Sequence, residues 1–209
     1  MLSKIKNKAR QFYFRQFEKF GEHSDVYMHP IEYGQLQAIM HSIGPRYVIE
    51  WGCGGSTKAL LRDVPTLEIL VSVEHNKAWY NKVKSEVKDS RLRLYYSEPK
   101  VLEPHWEPNN EKLQQELEAW CQRCEDERDI MADYIDHPRT HNVEYDIALV
   151  DGRARTHCVI EAMKILRHGG VVVLHDAQRV QYHESIRSVG DVKFLEPYVQ
   201  GQIALIRKP

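Results

Sequence analysis

Short apolar runs alternate with helical stretches from residue 46 onward, and this alternation restricts the fold more than any other feature of the chain. Tyr47–Trp51, Leu67–Glu74, Leu92–Tyr96, Tyr145–Val150 and Val171–Leu174 read as strands. The segments after Thr57 through Arg62 and over Lys77–Val87, Thr156–Arg167 and Tyr182–Val189 read as helices. Strands separated by helices build βαβ units, and hence a mostly parallel sheet covered on both faces. The end of the chain differs: Val192–Tyr198 and Gln202–Arg207, about Gln200-Gly201, read as a hairpin with at least one antiparallel strand. The expected class is α/β, a doubly wound and mostly parallel sheet ending in an antiparallel hairpin.

Two segments stand apart from this pattern. Residues 1–45 form an N-terminal helical segment in which Pro30 opens a helix through Ile43, closed by Gly44-Pro45. Its first part, 2–20, spaces Leu2, Ile5, Ala9, Phe12, Phe17 and Phe20 as one helical stripe, with six Lys/Arg against one Glu over residues 1–20. That stripe packs on its own domain or on a second copy in a homodimer; docking on a partner or an anionic surface is the alternative. The other segment interrupts the domain of residues 46–209. Over about 98–141 it carries twelve acids against five bases and reads as an inserted acidic helix, capped by Asn109 and running to about Ile135. It leaves the C-terminal end of a strand, the side on which open α/β sheets bind ligands, so a lid or acceptor-binding element is expected there. The plainer alternative is a solvated helix that only thickens the fold.

Composition removes several classes of function. A net charge of −1 argues against a nucleic-acid partner held by bulk electrostatics. No apolar run exceeds four residues, against the roughly 20 that a membrane span needs. The basic N-terminus has no apolar stretch behind it, and the four cysteines are too scattered for a disulfide framework, so a cytoplasmic setting is expected. Cys121-x-x-Cys124 has no second closely spaced pair and reads as two thiols on one helix face rather than a zinc site.

The strongest local signal is Val48-Ile49-Glu50-Trp51-Gly52-Cys53-Gly54-Gly55-Ser56-Thr57. An acid ends a buried strand, glycines let the backbone turn and approach a ligand, and Ser56-Thr57 can cap the next helix. Glu74 then ends the second strand, where an acid can accept hydrogen bonds from both hydroxyls of a ribose. A nucleoside-containing cofactor follows. A dinucleotide loop favours a third glycine where Thr57 stands, and Glu50 suits a cationic ammonium or sulfonium better than a pyrophosphate.

With those residues, the stretch from 46 to 207 resembles the class I S-adenosylmethionine (SAM) dependent methyltransferases, whose first motif reads acid-x-Gly-x-Gly. The likeness extends to Asp146-Ile147-Ala148-Leu149-Val150-Asp151-Gly152, to Gly169-Gly170-Val171-Val172-Val173-Leu174-His175-Asp176 and to the reversed terminal hairpin; Ser56 stands where a third glycine is frequent. It implies a seven-stranded Rossmann-like sheet and SAM as cofactor. It places Glu50 and Gly52 beside the methionine moiety, Trp51, Gly54, Gly55, Ser56 and Thr57 along the loop, Glu74 and His75 at the ribose, and Asp151 at the cofactor's edge.

Asp151 and Asp176 end strands successive in sequence and expected to be neighbours in the sheet, about 4.8 Å apart, so their carboxylates could share a hard cation. A divalent ion on a hydroxyl lowers its pKa and fixes its approach to a methyl donor. The placement looks like that of metal-dependent O-methyltransferases that bind Mg²⁺ or Mn²⁺, with His175 as the candidate third ligand; the alternative is that both acids cap helices or meet Arg153 and Arg155. Around the pair, Arg153 is expected to orient the acceptor and His175 or His183 to act as base, with Arg155, Arg179, Gln181 and Tyr182 completing a polar rim. That rim suits a sugar or glycan hydroxyl, with Trp106, Tyr134 or Tyr182 as an aromatic face. A catechol or other phenol, methylation of nitrogen or carbon, aminopropyl transfer, and a non-catalytic SAM-binding accessory subunit are the rival readings.

Overall fold

The computed structural model describes residues 26–105, 107, 109–198 and 201–209; the helix expected at 2–20, Trp106 and Gln200 lie outside them. Among the described residues, one sheet contains β1 (Tyr47–Trp51), β2 (Ile69–Glu74), β3 (Leu92–Tyr96), β4 (Tyr145–Val150), β5 (Leu166–Leu174), β6 (Val192–Phe194) and β7 (Ala204–Arg207). Their order is β3-β2-β1-β4-β5-β7-β6, parallel from β3 to β5, with β7 antiparallel to both its neighbours. The direction of winding reverses between β1 and β4, the place where open sheets leave a ligand crevice at their C-terminal ends.

Alternation along the strands divides the core in two. Val48, Ile147 and Leu149 pack with Leu36 and Met40 of α1 (Pro30–Ile43) and Ala59–Leu61 of α2 (Gly55–Asp63). Ile49, Trp51, Ala148 and Val150 face the opposite way, toward α4 (Glu111–Asp126), α5 (Ala132–Asp136), α6 (Arg155–Ile165) and α7 (His183–Val189). The remaining helix, α3 (Lys77–Glu86), joins β2 to β3 and is capped by Asn76. The α1 helix starts as its residues dictate: Pro30 needs no N–H partner, His29 Nδ1 accepts from Ile31 N, and Glu32 accepts from His29 N. Gly44, at φ 59, ends it in the left-handed conformation.

The insertion departs from expectation in two ways. It is several short helices, because α4 stops at Asp126 and single turns at Arg128–Met131 and His137–His141 flank α5. The run Glu125-Asp126-Glu127 opposes the negative end of the helix dipole. Its cap is Asn110, whose side chain accepts from Leu113 N, while Asn109 sits at φ 71. Among its described residues, apolar side chains on the helices pack into the core. Trp120, Cys124, Met131, Tyr134 and Ile135 are buried in the core under the sheet, and Trp51 Nε1 donates to Tyr134 O at 3.0 Å.

One acid of the insertion serves a distant helix. Ala154, before α6, has no side chain able to cap it. Glu125 supplies both acceptors, taking Arg155 N on Oε1 and Thr156 N on Oε2, each at 2.9 Å. Glu125→Ala is expected to lower the unfolding free energy by about 2 kcal/mol in a urea titration. A change near zero would show that water caps α6 equally well. The β5 boundary also moves: Leu166 is buried and pairs with Tyr145, so the helix expected through Arg167 ends before it.

Candidate active site

The cavity at the switch point begins with a close approach of two backbones. Gly52 leaves β1 at φ 99, and a Cβ there would lie 2.7 Å from Gly152 N and 2.8 Å from Gly152 Cα. Gly52 N donates to Val73 O, and Asp151 N donates to Trp51 O, so the turns after β1 and β4 are sewn into the sheet. Only a residue without a side chain fits at this crossing.

Glu50 anchors the turn from below. Its carboxylate accepts from Ser56 Oγ at 2.5 Å and from Thr57 Oγ1 and Ser72 Oγ at 2.6 Å, and Gly54 N donates back to Thr57 Oγ1. Burial raises the Glu50 pKa to about 7 against the lowering effect of the three hydroxyls. Glu50 was expected to face the cofactor, and it does not line the cavity. The carboxylate is wholly buried and points at the start of α2, away from the cavity lining. Thr57 is buried with it, and Trp51 belongs to the core. Gly52, Cys53, Gly54, Gly55 and Ser56 line the cavity.

Glu74, at the end of β2, closes the next side. Oε2 accepts from Cys53 N at 2.8 Å and Oε1 from Asn76 N at 2.7 Å, so the carboxylate ties the glycine turn to the α3 cap. His75 lies beside it, with Nδ1 3.0 Å from Glu74 Oε1 and its ring stacked on Trp120. Burial would lower the His75 pKa, but Glu103 and Glu74 raise it. Glu103 was not singled out by its sequence, where it is one acid among many in the insertion. In the fold it accepts from Asn76 Nδ2 at 2.9 Å and faces His75 and Arg153. Those three neighbours overcome the effect of burial and bring its pKa down to about 2. With Val26, Tyr27, Trp79, Asp151, Gly152 and Arg153 these residues enclose a cavity of about 210 Å³. Tyr27 and Trp79 meet edge to face at 5.7 Å along one wall.

Asp151 and Asp176 do end neighbouring strands, but the space between them is taken. Arg155 places Nη2 3.4 Å from Asp151 Oδ1 and Nη1 3.3 Å from Asp176 Oδ2, with its side chain 5% exposed. His175 turns Nδ1 to Asp151 Oδ1 at 2.6 Å and Nε2 to Glu32 Oε1 at 3.2 Å. Burial would lower its pKa, yet Asp151, Glu32 and Asp176 raise it to about 10. Both ring nitrogens are turned to carboxylates, so neither faces a site shared by Asp151 and Asp176. Among the described residues no group of three or more His, Cys, Asp or Glu side chains is placed to hold a metal ion. These residues do not fit the divalent cation that their sequence implied.

The rest of the expected rim is dispersed. Arg153 lines the cavity, but Arg155 and Tyr182 are buried. His183 places Nε2 2.8 Å from Ala177 O and packs its ring on Phe194, so it is not a base for this cavity. Asp176 adopts φ 57 and holds Arg179 at 2.5 Å. His175 and Asp176 pull each other toward their charged forms, and the Asp176 pKa falls well below the usual carboxylate range despite its burial.

No protein-family model matches the chain, and a search of curated proteins finds no sequence match. Solved structures do resemble it in fold. An O-methyltransferase from Bacillus cereus in complex with SAH has a TM-score of 0.61 at 14% identity, over 87% of this chain and 82% of that one. An O-methyltransferase from Streptomyces achromogenes involved in tomaymycin synthesis, in complex with SAM, has a TM-score of 0.57 at 14% identity over the same shares. A T. thermophilus 16S rRNA methyltransferase in complex with AdoMet and guanosine has a TM-score of 0.55 at 16% identity; the match covers 87% of this chain but only 44% of that one. The fold is that of the class I SAM-dependent methyltransferases.

Proposed function

We propose that the chain is a SAM-dependent methyltransferase that methylates a hydroxyl of a polar, sugar-like acceptor. The observation that carries this reading is the cavity at the switch point, where a glycine turn without room for a side chain and a strand-end carboxylate, Glu74, share one wall. Glu74 lines the cavity as a carboxylate held in place by Cys53 N, Asn76 N and the neighbouring His75, where it can accept from a ribose hydroxyl. The likeness of fold to O-methyltransferases bound to SAM and SAH supports it. When bound, SAM would supply an electrophilic methyl group on a cationic sulfur. Glu103, Arg153 and Asp151 make the acceptor side of the lining polar and charged, which favours a hydroxyl-rich acceptor over a flat aromatic one.

The test is direct. Glu74→Ala is expected to weaken SAM binding at least tenfold in titration calorimetry while the protein stays folded, since charge-assisted hydrogen bonds of about 1.5–3 kcal/mol each are lost. Unchanged binding would remove the cofactor assignment. A panel of glycosides and catechols under saturating SAM then decides the acceptor. Far higher kcat/KM on catechols than on any glycoside would overturn the sugar-like class.

A further inference from the structure

We propose that the Arg155 guanidinium stands where a divalent metal would sit, and that methyl transfer at this site needs no metal; the inference rests on the methyltransferase reading above. A guanidinium has five N–H donors. Nε donates to Gly152 O at 2.9 Å, Nη1 to His175 O at 2.6 Å, and Nη2 to Asp151 O at 2.8 Å. The remaining two donors face Asp176 Oδ2 and Asp151 Oδ1. Every donor has an acceptor, so Arg155 cannot swing away without unpairing buried groups at the ends of both β4 and β5.

His175 fills the space beside Arg155, with Nδ1 turned to Asp151 and Nε2 to Glu32. Glu32 reaches it from α1 because Gly201 leaves room: a Cβ on Gly201 would come within 2.5 Å of Glu32 Oε1. Asp151 and Asp176 thus share the Arg155 guanidinium between them, with His175 against Asp151 and Arg179 against Asp176, and an ion could enter only by displacing these groups. Asp151 also lines the cavity, and it meets His175 and Arg155 through Oδ1. With SAM bound, the acceptor oxygen would take the methyl group as the C–S bond broke with its electron pair going to sulfur, and Asp151, the aspartate that lines the cavity, would take the acceptor's proton.

The test uses the intact, unmodified protein. Titration with Mn²⁺, followed by electron paramagnetic resonance, is expected to show only free ion up to millimolar concentration. Turnover in excess EDTA is expected to stay within twofold of that with Mg²⁺. A stoichiometric bound Mn²⁺ signal that Mg²⁺ displaces, or activity lost to EDTA and restored by Mg²⁺, would overturn the proposal. If no acceptor is methylated, the Mn²⁺ titration still decides the metal question. Calorimetry with SAM separately decides the methyltransferase reading.

Discussion

Gly52→Ala is expected to abolish SAM binding and to destabilise the fold by on the order of 3 kcal/mol. Two costs add at this position. The backbone sits at φ 99, which residues with a side chain rarely adopt, and the new methyl carbon would meet Gly152 N at 2.7 Å. Neither side can give way easily. Gly152 is hemmed in by Gly52 and by the buried Tyr134 hydroxyl, which lies 2.0 Å from where its own Cβ would stand. The turn must open, and Cys53 N then leaves Glu74 Oε2. Gly34 provides the contrast. It lies inside α1 with nothing within 4 Å of its Cβ position, so Gly34→Ala is expected to stabilise by about 1 kcal/mol. Urea unfolding and calorimetry on the two variants check both signs. A Gly52→Ala protein that binds SAM like its parent would refute the account of the turn.

Between pH 5 and 9 the fold is expected to lose on the order of 3 kcal/mol of stability through Glu50 alone. The folded pKa of about 7 lies above the ordinary value of 4.5, because burial disfavours the charged carboxylate. A raised pKa means that the folded state holds its proton more tightly than the unfolded chain. The stabilising contribution is therefore complete below pH 4.5 and is lost as pH rises through 7. Glu50→Gln keeps an acceptor for the hydroxyls of Ser56, Thr57 and Ser72 and removes the titration. The difference in unfolding free energy between parent and variant should then grow with pH in favour of the variant. A difference that stays flat from pH 5 to 9 would refute it. His175 works in the same direction but at higher pH: its contribution is present below about 6.5 and disappears as pH passes about 10.

The sheet was legible because its central strands are buried on both faces and must read as continuous apolar runs, as Ile147–Val150 and Val171–Leu174 do. The acids that end β1, β2, β4 and β5 were legible for the same reason, since a carboxylate directly after such a run has a definite place in the fold. What each acid would face was not. Glu50 and Glu74 sit at matching strand ends, yet one is closed off by hydroxyls from α2 and β2 and the other opens on the cavity. Glu32, Glu103 and Glu125 carried no signal. Glu103 and Glu125 are acids among many in the insertion and Glu32 is a lone acid early in α1, and each acts on a partner far along the chain, Glu125 on the α6 amides and Glu32 on His175.

The sequence by itself therefore determined the order of strands and helices, the glycine turn and the four strand-end acids, because burial and backbone conformation act over a few residues. Only the tertiary structure decided that the insertion packs under the sheet, that Arg155 stands between Asp151 and Asp176, and that His175 stands between Asp151 and Glu32. Charge pairing depends on distance in space. A guanidinium on α6, an imidazole after β5 and a carboxylate on α1 join the strand-end aspartates in one cluster only once the chain has brought each within about 4 Å of its partner.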